Sequence, residues 1–290
     1  MTQSSESISD PEFVFAHAMM RDYWIPSTLS EKIIQQLEFV HSTMSTNDES
    51  LSPLYEIVGT LIANLRSVRQ FLSFPFTLAA RVMDGSLKQD SSGMRMRILE
   101  KATRSDKVVD QLKLLKQQSI ILIWSAYETF SRDVFVSALN ERHDLYELIL
   151  KSPLKERFSG NQVFSYSSLA KHGLNIETKL GAILADGKDF SSPAFLRILF
   201  AQIFPGHDDW QELKPSLESE VLWKLGHRRH LVAHRAGLVD SQYLDQTGDQ
   251  QQTLGKQLVV TGDDLDEAMR HVAETALTIL IAWEYVRDNK

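Results

Sequence analysis

Over most of this chain apolar residues recur at the three- and four-residue spacing of helices, and only Leu258 to Val260 reads as a short strand. Ile33, Ile34, Leu37 and Val40 predict a helix over 30–42 with Ser30 at its N-cap, followed by a polar break from Ser45 to Ser52. The next pattern runs from Leu54 to Met83 through Ile57, Leu61, Leu65, Val68 and Phe71, and Pro75 within it predicts two helices or one kinked helix. Asp84 to Gly93, rich in Gly, Ser and Asp, reads as a linker. Met94 to Arg142 holds no Gly or Pro and predicts one long helix or two in tandem, with Leu112, Leu115, Ser119, Leu122, Ile123, Ala126, Phe130, Val134, Phe135 and Ala138 at periodic positions.

From Lys151 to Gly187 the pattern weakens, and Pro153, Gly160, Gly173 and Gly181 break it into short helices. Ser192 to Phe204 predicts an apolar helix ended by Pro205-Gly206. Another helix starts near Lys214 or Pro215, because proline suits a first turn and Glu218 and Glu220 favour an N-terminal end; Gly237 stops it. Asp240 to Lys256 reads as a polar loop. Thr261-Gly262-Asp263-Asp264 then introduces a last helix from about Leu265 to Asp288. The fold class is all-α with a short β-hairpin before the last helix, in two parts: an N-terminal helical region over 1–90 and a helical domain over 91–290.

Composition narrows the function. The 290 residues, 43% hydrophobic and 24% charged, suit an ordinary folded protein. No cysteine is present, which removes disulfides, thiolate nucleophiles and cysteine-ligated metals and fits a reducing cytoplasm. Met1 to Asp10 is polar and acidic, unlike a secretory signal, and the longest apolar runs fall far short of the roughly 20 residues of a membrane span, so a cytoplasmic protein without a membrane role is expected. The net charge of -7 argues against a protein that coats nucleic acid. Any nucleic-acid contact is expected to be local. Arg95 to Lys116 carries a run of basic residues that reads as a solvated helical face.

The chemistry-bearing stretch is Lys224 to Gly237, which places three of the nine histidines, His227, His230 and His234, within eight residues. Arginine offers a fixed charge and a planar fork suited to phosphate, and histidine exchanges protons near neutral pH. At about 100° per residue, Val221, Leu222, Leu225, Arg229, Val232 and Ala233 share one arc, so Arg229 stands where the pattern reserves apolar residues and needs an anionic partner or a purpose. Upstream, Glu128 and Arg132 have the i, i+4 spacing of an ion pair.

Arg229-His230-Leu231-Val232-Ala233-His234 near a helix end, the glutamate-bearing helix Trp124 to Asp133, and the tail from Ala233 through Tyr243-Leu244 and Gly255 to Val260 into a closing helix together resemble the HEPN superfamily. The likeness is to its RiboL-PSP type and covers about residues 95–290. One departure is His230, where many members have a small polar residue, often Asn, after the arginine. The resemblance implies an HEPN-like helical bundle with additional N-terminal helices, acting as a metal-independent endoribonuclease on RNA. It implies a homodimer in which two motif helices meet, and extends to toxin–antitoxin and antiviral defence systems with a restraining protein partner. His234 is then the general base or acid and Arg229 the phosphate-binding residue, with His230 as an orienting or relaying group and Glu128 as a partner of Arg229. No cofactor or metal is implied.

Other readings stand beside this one. As the alternative to it, Arg229 and Glu128 form a buried structural ion pair with the histidines on a solvated face, or the HEPN-like module is a noncatalytic binder of RNA, a nucleotide or a protein. His227, His230 and His234 also have a spacing from which one helix offers up to three imidazoles to a metal ion. Against that, no glutamate takes the general-base place of a His-Glu-x-x-His motif, and Arg228 and Arg229 put positive charge beside the ion. Within one ideal helix Arg229 and His234 lie about 140° apart. That separation gives a second protomer a mechanistic reason.

Overall fold

Residues 28–43, 52–86, 106–159, 166–204 and 210–288 are described by the computed structural model of the chain. The readings made above for Met1 to Asp10, for 87–105 and for Pro205-Gly206 lie outside the described residues. The axis of the fold is the helix grown from the run that lacks Gly and Pro, here Asp106–Glu141. Its buried positions Ile120, Ile123, Trp124, Tyr127, Phe130, Val134, Phe135 and Ala138 follow the three- and four-residue spacing that lays one stripe against neighbours on several sides. Leu122, expected in that stripe, faces outward instead.

In chain order the helices are α1 (Thr28–Thr43), α2 (Ser52–Ser86), α3 (Asp106–Glu141), four short ones, α4 (Leu145–Leu150), α5 (Lys155–Ser159), α6 (Tyr166–Lys171) and α7 (Leu180–Ala185), then α8 (Pro193–Ile203), α9 (Trp210–Leu217), α10 (Glu220–Arg235), α11 (Ser241–Thr247) and α12 (Gly262–Asp288). The protein is all-α. Among the described residues no strand forms, and the expected hairpin reduces to one antiparallel bridge between Leu238 and Gln257. Its backbone bonds tie Val239 to Lys256 and Leu258 to Gly237, so the segment after α10 pairs with the segment before α12.

Helix α2 continues through Pro75 as a single element and packs along α3, while α12 packs on another side of α3 and α1 touches both α2 and α12. Leu54, Leu61, Leu65 and Val68 of α2 therefore share one hydrophobic cluster with Trp124, Phe135, Ile279 and Trp283. The N-terminal helices belong to the same core as the motif-bearing part. Phe135, Phe158, Phe190 and Phe195 meet in successive ring contacts of 5.4 to 6.0 Å, which fastens α5 and the start of α8 to α3. Helix α10 rests on this platform, against α3, α8, α11 and α12.

Candidate active site

The motif helix starts later than its sequence suggests. Pro215 lies inside α9, residues 218 and 219 break the chain, and α10 begins at Glu220. It ends at Arg235 because Ala236 (φ 52°) and Gly237 (φ 74°) both turn left-handed and return their N–H groups to the carbonyl of Leu231. The predicted polar loop after it contains α11, capped by Asp240, which accepts from the Tyr243 N–H at 2.8 Å. Buried Tyr243 and Thr247 explain why this polar stretch folds at all.

Near the middle of α10, Gly226 lets two neighbours approach. A β-carbon there would stand 2.5 Å from Pro193 Cγ of α8 and 3.0 Å from the Trp124 ring of α3. Since the proline is anchored at the start of a helix and the indole is fully buried, neither yields cheaply. Gly226→Ala is expected to destabilise the protein by about 1–3 kcal/mol, read as a lower urea midpoint, with the loss arising from overpacking.

The arginine locked in the interior of α10 is Arg228, rather than Arg229 as the apolar arc predicted. The buried residues are Leu222, Leu225, Gly226, Arg228, Leu231 and Val232. Arg228 donates to Asp264 Oδ1 at 2.7 Å, to Asp249 Oδ2 at 3.0 Å and to the Tyr243 hydroxyl at 3.2 Å, and that hydroxyl donates to Asp249 at 2.6 Å. Asp264 has a second task, since its other oxygen accepts from the Thr261 N–H and hydroxyl and caps α12. Burial works against the charge on Arg228, but the Asp264 carboxylate and Tyr243 outweigh it and raise its pKa further. The Tyr243 hydroxyl is pushed up to about 12, chiefly by burial.

Asp249 and Asp264 consequently carry a pH dependence. Burial alone would raise both pKa values, yet bonds from Tyr243 and Arg228 to Asp249, and from Arg228 and Thr261 to Asp264, hold both below the usual carboxylate range. A carboxylate whose folded pKa is depressed contributes stability above its unfolded pKa of about 3.9, lost as pH falls through the folded value. The urea midpoint is expected to hold steady above about pH 5 and to fall below about pH 4, with a shallower fall in Asp249→Asn. An equal slope in that variant would show that Asp249 is not the group responsible.

Arg229 is half-buried, and among the described residues it has neither a hydrogen bond nor an ion pair, its Nε being shut from solvent. It lines a cavity of about 280 Å³ together with His227, His230, Asp189 and Ser192. The expected pair with Glu128 is not formed as a contact. The two act on each other only through the electrostatic field, in which burial raises the Glu128 pKa, Arg229 opposes that rise and Asp189 adds to it. Arg132 turns away from Glu128 to Asp133, at 3.9 Å. His227 Nε2 is buried with no hydrogen-bond partner among the described residues, and burial together with His230 lowers its pKa, so the neutral imidazole is favoured there.

His230 and His234 are both exposed, with ring centroids 4.8 Å apart. His230 also lines the Arg229 cavity, whereas His234 and Glu128 do not. The structure thus joins Arg229, His227 and His230 in one recess, with the His234 ring tilted at 47° against His230 outside it. Among the described residues no group of three His, Asp or Glu side chains is arranged to hold a metal ion, so the three histidines do not converge as ligands. No described helix is long and apolar enough to cross a membrane. No protein-family model, curated protein or solved structure matches this chain.

Proposed function

We propose that this protein is a metal-independent, HEPN-type endoribonuclease that works as a cytoplasmic homodimer. The observation that carries the reading is the unpartnered Arg229. Among the described residues no carboxylate touches this guanidinium, Glu128 and Asp189 acting on it only at a distance, so its donors are open to a phosphate. Arg229 would stabilise the added negative charge of the phosphorane-like state. His234 would take the proton of the ribose 2′-hydroxyl as that oxygen attacks phosphorus; the bond to the 5′-oxygen breaks and that oxygen is protonated. The products are a 2′,3′-cyclic phosphate and a 5′-hydroxyl.

Helix α10 stays regular through Arg235, which keeps Arg229 and His234 on different faces of one protomer and favours a second copy of α10 completing the grip. His230, between the recess and His234, suits an orienting or relaying role. A nuclease of this kind needs a restraining partner in its cell, as in toxin–antitoxin or antiviral defence systems. An RNA oligonucleotide and its all-deoxy counterpart test the chemistry. The RNA should be cut and the DNA, lacking the 2′-hydroxyl, left whole; equal cutting of both would end the proposal.

A further inference from the structure

Beside the Arg229 recess lies a second cavity of about 320 Å³, at the low end of the roughly 300–1,000 Å³ usual for small-molecule sites. Its character is aromatic. Trp223 of α10 is half-buried, and its ring is fixed by donation from its indole N–H to the Gln246 carbonyl at 2.8 Å. The Arg197 guanidinium stands 6.0 Å from the centre of that ring. Trp124, wholly buried, and Tyr127 also contribute to its wall.

We propose that this cavity is the nucleobase subsite of the nuclease, which rests on the ribonuclease reading above. Three features support it. The two cavities share Pro193 and Gln246 in their walls, and the Trp223 ring meets the His227 ring edge-on at 4.5 Å between centroids, so a nucleotide with its phosphate at Arg229 has its base within reach of Trp223. The two ends differ in their lining rather than in net charge: Trp124, Tyr127 and Trp223 line the aromatic cavity, whereas the Arg229 recess, where Asp189 and Asp240 also stand, presents a guanidinium and two imidazoles. Finally, a base supplies a flat π face for Trp223 and Arg197.

The test uses the full chain carrying His234→Ala, titrated by calorimetry with the four nucleoside 3′-monophosphates and with inorganic phosphate as the probe without a base. At least one nucleotide should bind roughly tenfold tighter than phosphate. Trp223→Ala should remove that advantage, Trp223→Phe should keep most of it, and Arg197→Leu, at an exposed position, should reduce it several-fold, with phosphate binding unchanged in all three. The proposal is overturned if no nucleotide binds tighter than phosphate, or if the advantage survives both Trp223→Ala and Arg197→Leu. Base-dependent binding lost with Trp223 in a protein that cuts no RNA would keep the subsite and remove the nuclease reading. RNA cleavage without base-dependent binding would remove the subsite alone.

Discussion

Arg228→Met lowers the stability of the fold by about 3–5 kcal/mol, a large part of the 5–15 kcal/mol typical of a folded domain. The loss comes less from the missing attraction than from what remains. Asp249 and Asp264, with Tyr243 between them, would face each other in a buried site without the guanidinium that holds them together. Arg228→Lys should recover little, since one ammonium cannot present the fork that reaches both carboxylates. Adding Asp249→Asn to Arg228→Met should restore part of the loss by removing one orphaned charge. Urea unfolding measures all three, and a loss under about 1 kcal/mol in Arg228→Met, the scale of an exposed pair, would show that the network is worth no more than a surface ion pair.

Arg229→Ala and His234→Ala each reduce RNA cleavage by about 10²–10⁴-fold, the range for loss of an electrostatic stabiliser or a general base. Neither should unfold the protein. His234 is exposed, and Arg229 has no partner whose loss would orphan a second charge, so helical content and the urea midpoint should stay near those of the parent. This separates the catalytic reading from the ion-pair reading, in which removing Arg229 would strand Glu128 and destabilise the fold. His230→Ala should cost less activity than either. An equal loss would give His230 a primary role.

Helical class and most element positions were legible because apolar periodicity is a local signal. Ile120 to Phe135, Pro193 to Ile203 and Gly262 to Asp288 all fold as their spacing indicates. The errors arose where distant residues decide. An idealised wheel gave the buried place on α10 to Arg229, but Asp249 and Asp264, 21 and 36 residues beyond Arg228, close over its neighbour instead. Thr261 to Asp264 was legible as the lead into the last helix; the use of Asp264 as a partner of Arg228 was not. Likewise Glu128 and Arg132 have pairing geometry along one helix, yet Arg132 turns to its neighbour Asp133. Trp223 and Arg197 meet across two helices, a pairing for which spacing carries no signal.

The most direct test is to incubate the purified protein with mixed single-stranded and structured RNA in excess EDTA, beside His234→Ala, and to identify the product ends. Cleavage by the unaltered protein alone, leaving 2′,3′-cyclic phosphates, is the predicted result. Cleavage that vanishes with EDTA, or that persists undiminished in His234→Ala, would contradict a metal-free nuclease built on Arg229 and His234.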